Sequence, residues 1–244
     1  MPVIEVDNIT KKYFKKDVLK GASFYVDKKE CVGIIGANGC GKTTLLGIVS
    51  GSHKPTSGKI MVNGENPIKK RKLFSKYIGY VPQDNPLMED LSVRDNLMFW
   101  YSGTGRKADT DIIDGNAAYL GLGDYYNVTV SKLSGGLKKR LSIACAICSD
   151  PAVLIMDEPG AALDINGKRD IWQYMNDYKN NGGTIILASH EESELKLCDR
   201  LYVMKNGKLL KFSSVESGLQ EAAKRLHNNY LTPGGKFYRG KTLA

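Results

Sequence analysis

The sequence predicts an α/β fold with a mainly parallel sheet and helices on both of its faces. Short apolar runs of the kind found in strands buried on both sides recur along the chain, and segments with three- and four-residue apolar spacing separate them. Composition agrees: the 244 residues are 42% hydrophobic and 25% charged, the mixture of a globular chain that can bury a core.

Residues 3–9 (VIEVDNI) alternate like a half-buried strand, and residues 24–27 (FYVD) form a second candidate. Residues 30–36 (ECVGIIG) read as a short strand running into a glycine-rich turn. A helix over 42–51 (KTTLLGIVSG) follows, closed by Gly51. Strands are expected at 58–64 (GKIMVNG), ending in the Asn63-Gly64 turn, and at 76–83 (KYIGYVPQ). From Pro86 to about Ser149 the pattern is helical, in 96–101, 114–123 and 137–148. Strands return at 152–158 (AVLIMDE) and 184–190 (TIILASH), with a helix over 164–180 between them. Residues 201–212 read as a hairpin turning at Asn206-Gly207. The helical block interrupts the strands, so it is expected to be a lobe inserted at about 86–149. Residues 221–244 are expected to be a basic, polar, helical tail.

The net charge is +9, and residues 201–244 carry eight Lys/Arg against two Glu. Such a tail attracts nucleic acid or anionic lipid in some proteins. Without an aromatic platform or base-reading motif, a solvated surface is the better reading, and no direct nucleic-acid partner is expected. No apolar run approaches the roughly 20 residues of a membrane span, and the amino terminus lacks the apolar stretch of a secretory signal. A cytoplasmic chain is therefore expected. Its five scattered cysteines argue against disulfides, and Cys145 and Cys148 read as small residues on a buried helix face rather than a metal pair.

Gly36-Ala-Asn38-Gly39-Cys-Gly41-Lys42-Thr43 fits G-x-x-x-x-G-K-[ST] at every fixed position, between a strand and a helix. Triphosphate oxygens need many donors close together, and glycines let the backbone turn successive N–H groups inward. The following helix, which includes Thr44, points its positive end at the same place. Lys42 reaches the β- and γ-phosphates as a compact cation, and the Thr43 hydroxyl ligates Mg²⁺. The strand 152–156 ends in Asp157, suited to holding Mg²⁺ through water, and Glu158, suited to act as general base on an attacking water. These two motifs make a P-loop NTPase core and an ATPase activity the expectation.

Between them stands Leu133-Ser134-Gly135-Gly136-Leu137, with Ser134 23 positions before Asp157. With the Gly36–Thr43 loop, this resembles the signature of the ATP-binding-cassette (ABC) ATPases, over residues 1 to about 215. The resemblance implies an N-terminal antiparallel β subdomain, an inserted α-helical subdomain, and one cassette domain over 1–220. It implies that Tyr13 stacks on adenine, that Gln83 senses Mg²⁺ and the γ-phosphate, and that Asp164 lies in a loop crossing a dimer interface. His190 matches the switch histidine at the γ-phosphate. Ser134 is suited to be a helix N-cap, and Gly135 and Gly136 expose N–H groups at a positive helix end. By resemblance they serve the γ-phosphate held by the other subunit of a head-to-tail dimer, homomeric or heteromeric. Two departures bear on coupling: Leu137 replaces the usual Gln, and Gly160-Ala161-Ala162 replace the usual Thr-Ser-Gly.

The resemblance implies a transporter motor, peripheral on the inner face of the membrane through a permease whose coupling helix docks near Gln83 and Leu87–Trp100. Residues 90–103 look similar to cassettes of ABC-2-type exporters, which move drugs, lipids or polysaccharides; import is the competing direction. A soluble ABC ATPase acting in cofactor assembly or nucleic-acid remodelling is the alternative. Thiol reagents are expected to inhibit at Cys40 unless ATP is bound.

Overall fold

A computed structural model describes residues 2–70, 72–103, 110–161 and 163–212. The expected basic tail lies outside them. β1 (Pro2–Tyr13) and β2 (Lys16–Asp27) form a long antiparallel hairpin. β3 (Cys31–Ile35) leads into α1 (Lys42–Val49). β4 (Ser57–Val62) pairs antiparallel with β1, so a three-stranded sheet runs β2-β1-β4. α2 (Lys72–Tyr77) precedes β5 (Ile78–Val81). Helices α3 (Val93–Ser102), α4 (Thr110–Tyr119) and α5 (Gly135–Ile147) follow. The chain then runs through β6 (Val153–Asp157), α6 (Ile165–Asn180), β7 (Thr184–Ala188) and α7 (Glu192–Leu195). It ends in the hairpin β8 (Arg200–Lys205) and β9 (Lys208–Lys211).

The second sheet has the order β5-β6-β7-β3-β8-β9, parallel except for β9. Every residue of β3, β6 and β7 is buried, because their sheet is covered on one face by helices and on the other by α1 and the antiparallel sheet. β2, on the one-sided sheet, alternates instead, burying Leu19, Ala22, Phe24 and Val26. The parallel sheet splits the core in two. One cluster joins Leu97, Tyr101 and Leu141 of the helical insert to Leu154 and Met156; the other packs the antiparallel sheet and α1 on Val153 and Ile155. Successive residues of β6 thus serve opposite cores. The α/β fold, the antiparallel N-terminal sheet and the helical insert are all present.

Four expected elements differ notably in extent. The first two strands are twelve residues each, joined at Phe14-Lys15 with Phe14 at φ 49°. That turn has none of the usual Gly, Pro or Asn signals. Lys76 and Tyr77, expected in a strand, end α2, because β5 pairs only along Val153–Met156. Residues 86–92 are not helical: the side chain of buried Asn96 accepts from Met88 N at 2.9 Å and donates to Met88 O at 3.0 Å, stitching this loop to α3. Cys145 and Cys148 lie buried on and just beyond α5, and all five cysteines are free thiols.

Candidate nucleotide site

The loop from Ile35 to Lys42 turns because of its glycines. Gly39 and Gly41 have φ of 73° and 114°, a region in which side chains with a Cβ are strained. A Cβ on Gly36 would meet the Met204 carbonyl at 2.8 Å. Gly41 caps α1 without a side-chain hydrogen bond, and a Cβ on it would press on Leu19 at 3.1 Å. The loop opens on a cleft lined by Asn38, Gly39, Gly41, Lys42, Thr43 and Thr44 on one side, with Tyr13, Val18, Gln83 and Glu158 around it. These lie far apart in sequence, and the order of the strands brings them together: β3 neighbours β7, β7 neighbours β6, and β6 neighbours β5. The cleft therefore sits where strand carboxyl ends meet a helix amino end, as open α/β sheets dictate.

Lys42 is buried, its Nζ donating to Gly36 O at 2.8 Å and lying 3.8 Å from Glu158 Oε1. The same Oε1 lies 3.6 Å from His190 Nδ1, so Glu158 stands between two cationic or protonatable nitrogens without hydrogen-bonding to either. Glu158 has φ 48°, costly for a residue with a long side chain, and its N–H donates to Ala188 O at 2.8 Å. Asp157 completes β6 opposite Ala188, 1% exposed. The register that follows Asp157 into the sheet turns Glu158 out to the cleft.

Both carboxylate oxygens of Asp157 are buried without a hydrogen-bond partner. Burial pushes this carboxyl above the ordinary range. The Thr43 hydroxyl nearby pulls it down, short of a hydrogen bond; Glu158 raises it, and Lys42 and Lys139 lower it. Orphaned acid oxygens beside a hydroxyl fit hydrated Mg²⁺, which binds through one or two protein oxygens plus waters and substrate phosphates. Among the described residues no three His, Cys, Asp or Glu side chains converge into a metal cage. A Mg²⁺ at Asp157 would take its other ligands from nucleotide and water.

Tyr13 is exposed at the cleft mouth with Lys11 Nζ 4.7 Å from its ring centroid. Ser134, Gly135, Gly136 and Asp164 do not line the cleft. Ser134 caps α5, accepting from Leu137 N at 3.3 Å, as its sequence context suggested. Asp164 caps α6, accepting from Gly167 N at 2.7 Å. A Cβ at Gly136 would lie 3.9 Å from Leu163, so these two caps share one edge. Cys40 is half-buried and burial pushes its thiol up, partly offset by Lys42.

Sequence reasoning missed two buried charges behind the cleft. Glu194 accepts from the Ser189 hydroxyl, and Glu191 N donates to the same hydroxyl at 3.0 Å, pinning the turn that carries His190. Lys139 is 3% exposed and donates to Pro82 O and Gln83 O at 3.1 and 3.0 Å. Lys139 stands three and four residues before Ser142 and Ile143 on the buried face of α5, but a lysine in a helical pattern reads as solvent-facing, so its burial was not legible in the sequence alone.

A glycine-rich loop at a helix start, with its lysine and a strand-end acid pair, defines a P-loop NTPase. A family model described as ABC transporter matches residues 19–161, and the chain belongs to that family. Among curated relatives, Nod factor export ATP-binding protein I of Rhizobium etli is 37% identical over 212 residues, 85% of this chain and 67% of that protein. Spermidine/putrescine import ATP-binding protein PotA of Mycoplasma mycoides is 37% identical over 224 residues, 88% of this chain and 62% of that protein. Among solved structures, an ATP-binding subunit of an ABC transporter aligns with TM-score 0.81 at 25% identity, covering 92% of this chain and 99% of the other. The cbiO1 subunit from Clostridium perfringens, part of the transporter complex cbiONQ, aligns with TM-score 0.76 at 30% identity, covering 94% and 96%. The chain is an ATP-binding, ATP-hydrolysing subunit of an ABC transporter, using ATP and Mg²⁺. Such a subunit acts with a membrane-spanning partner. Among the described residues no helix is long and apolar enough to cross a membrane.

Proposed function

We propose that two copies of this cassette, or this cassette and a related one, close head to tail over two ATP molecules and drive an export permease from the cytoplasmic face. The observation that carries the composite site is Gly135. Its own chain leaves open space where a Cβ would stand and gives it no positive φ, so no internal contact calls for glycine. A glycine without an internal reason, at the amino end of α5, fits the close approach of a phosphate from outside the chain.

In this reading the loop from Gly36 to Thr44 cradles the phosphates, Lys42 neutralises the β- and γ-phosphates, and Tyr13 stacks on the base. Thr43, Asp157 and Gln83 hold Mg²⁺, which supplies charge neutralisation at the phosphates. Glu158 accepts a proton from water as the water oxygen attacks the γ-phosphorus and the bond to the ADP oxygen breaks. His190 holds Glu158 and the γ-phosphate in line. Ser134, Gly135 and Gly136 close on the partner's γ-phosphate beside Asp164, whose capped loop carries the contact between sites. The domain ends near residue 220, with the helical insert at about 86–149.

The permease docks beside Gln83, where Tyr80, Pro86, Leu87 and the partly exposed Trp100 form an apolar recess. Export is favoured by the similarity to Nod factor export proteins; import is the second reading, favoured by PotA. Gly135→Ala separates the chemistry from the fold. It should melt like the parent and bind ATP, yet fail to dimerise with Mg²⁺·ATP in sedimentation when combined with Glu158→Gln. Undiminished dimerisation would remove the composite site.

A further inference from the structure

We infer that Lys139 is a positioning residue for hydrolysis, fixing the backbone of Pro82 and Gln83 to the helix whose start carries Ser134, Gly135 and Gly136. The inference rests on the roles proposed above for Gln83 and Ser134–Gly136.

Burying an ammonium costs several kcal/mol unless its donors are used. Lys139 is 3% exposed, and two of its donors go to the main-chain carbonyls of residues 82 and 83, just past the end of β5 at Val81. Burial pulls its pKa down, and Asp157, Asp84 and Glu194 oppose this. The charge of Lys139 thus acts on that of Asp157, while Gln83, whose backbone it holds, lines the cleft. Val81 pairs with Met156, so the tethered segment leaves the sheet beside Asp157. Lys139 stands five residues after Ser134, about 7–8 Å along one rigid helix. A shift of the amino end of α5 must carry Lys139 and, through the two carbonyls, Gln83. One helix thereby links the group offered to the partner's nucleotide with the group offered to its own. A merely space-filling residue at 139 needs no charge, and an apolar side chain would fit an apolar helix face at less cost.

The test is a double-mutant cycle on the full chain, with kcat for ATP hydrolysis and Kd for a fluorescent ATP analogue measured in parallel. Lys139→Met is expected to lower kcat about tenfold while Kd stays within about twofold. In a Gln83→Ala background the same change should add nothing, because Lys139 acts through Gln83. Lys139→Arg, which keeps charge and donors, should recover most of the rate. Losses that multiply in the double variant, or affinity that falls with rate, would overturn the inference. If Gln83→Ala itself turns over like the parent, the site reading fails and takes this inference with it. If Gln83→Ala is slow and Lys139→Met is not, Lys139 alone loses its role. Should Lys139→Met lose its cooperative melting transition, Lys139→Gln replaces it in the cycle, with the same results supporting or overturning the inference.

Discussion

Glu158 Oε1 and His190 Nδ1 stand 3.6 Å apart, at the ends of two neighbouring parallel strands. Neither is hydrogen-bonded to the other, and Glu158 is held at φ 48° by its N–H bond to Ala188. A strained acid in a cleft with an uncommitted oxygen suits proton abstraction from water. Glu158→Gln should lower kcat by at least about a hundredfold with ATP affinity retained, and His190→Ala should lower it by about tenfold or more. Single-turnover hydrolysis with equilibrium binding checks both; normal turnover in Glu158→Gln sinks the general-base role.

Lys42→Ala should weaken ATP binding by about 10–100-fold, the worth of a charge-assisted contact to phosphate. ADP should suffer less, since it lacks the γ-phosphate. Titration of both nucleotides against the variant decides; equal losses would place Lys42 nearer the α- and β-phosphates.

Asp157 holds two buried oxygens with no partner, a cost kept for function. Asp157→Asn should therefore melt higher than the parent in EDTA, by roughly 2–4 °C for each kcal/mol of relieved burial. The sign follows from its raised pKa. The folded protein holds the proton more tightly than the unfolded chain, so the parent is not penalised below the usual carboxylate pKa of about 4. The parent then loses stability relative to the variant as pH rises, and the gap is complete above the raised pKa. Melting curves from pH 4 to 8 measure it. A variant that melts lower at pH 7.5 in EDTA contradicts the burial cost.

Cys40 is the one thiol of five that is not buried. Because burial pushes its pKa up, labelling should be slower than that of a free thiol near neutral pH and accelerate with pH. This tempers the inhibition expected from sequence, since a partly buried thiol reacts slowly. Mg²⁺·ATP should slow labelling further. Mass-spectrometric labelling rates between pH 7 and 9, with and without nucleotide, test both statements; a fast, pH-independent reaction would contradict them.

Much of the site was legible because phosphate binding leaves local marks. Gly36, Gly39, Gly41, Lys42 and Thr43 are contiguous, and Asp157-Glu158 ends an unmistakable apolar strand. Phe14 at the tip of the first hairpin was not legible, since its positive φ is imposed by the strands on either side rather than by its own preference. Lys139 and Glu194 were hidden for a related reason. A charge within a helical pattern reads as solvent-facing, and its burial depends on what packs over it.

By itself the sequence determined the alternation of buried strands and helices, the phosphate loop, the acid pair and the cap at Ser134. All of these depend on residues within a few positions of one another. Only the tertiary structure decided that Glu158 lies between Lys42 and His190, that Asp157 keeps two orphaned oxygens, and that Lys139 ties α5 to Gln83. Those facts depend on strand order and on which helix covers which sheet face. Distances between residues dozens of positions apart are set by packing, and no local pattern encodes them.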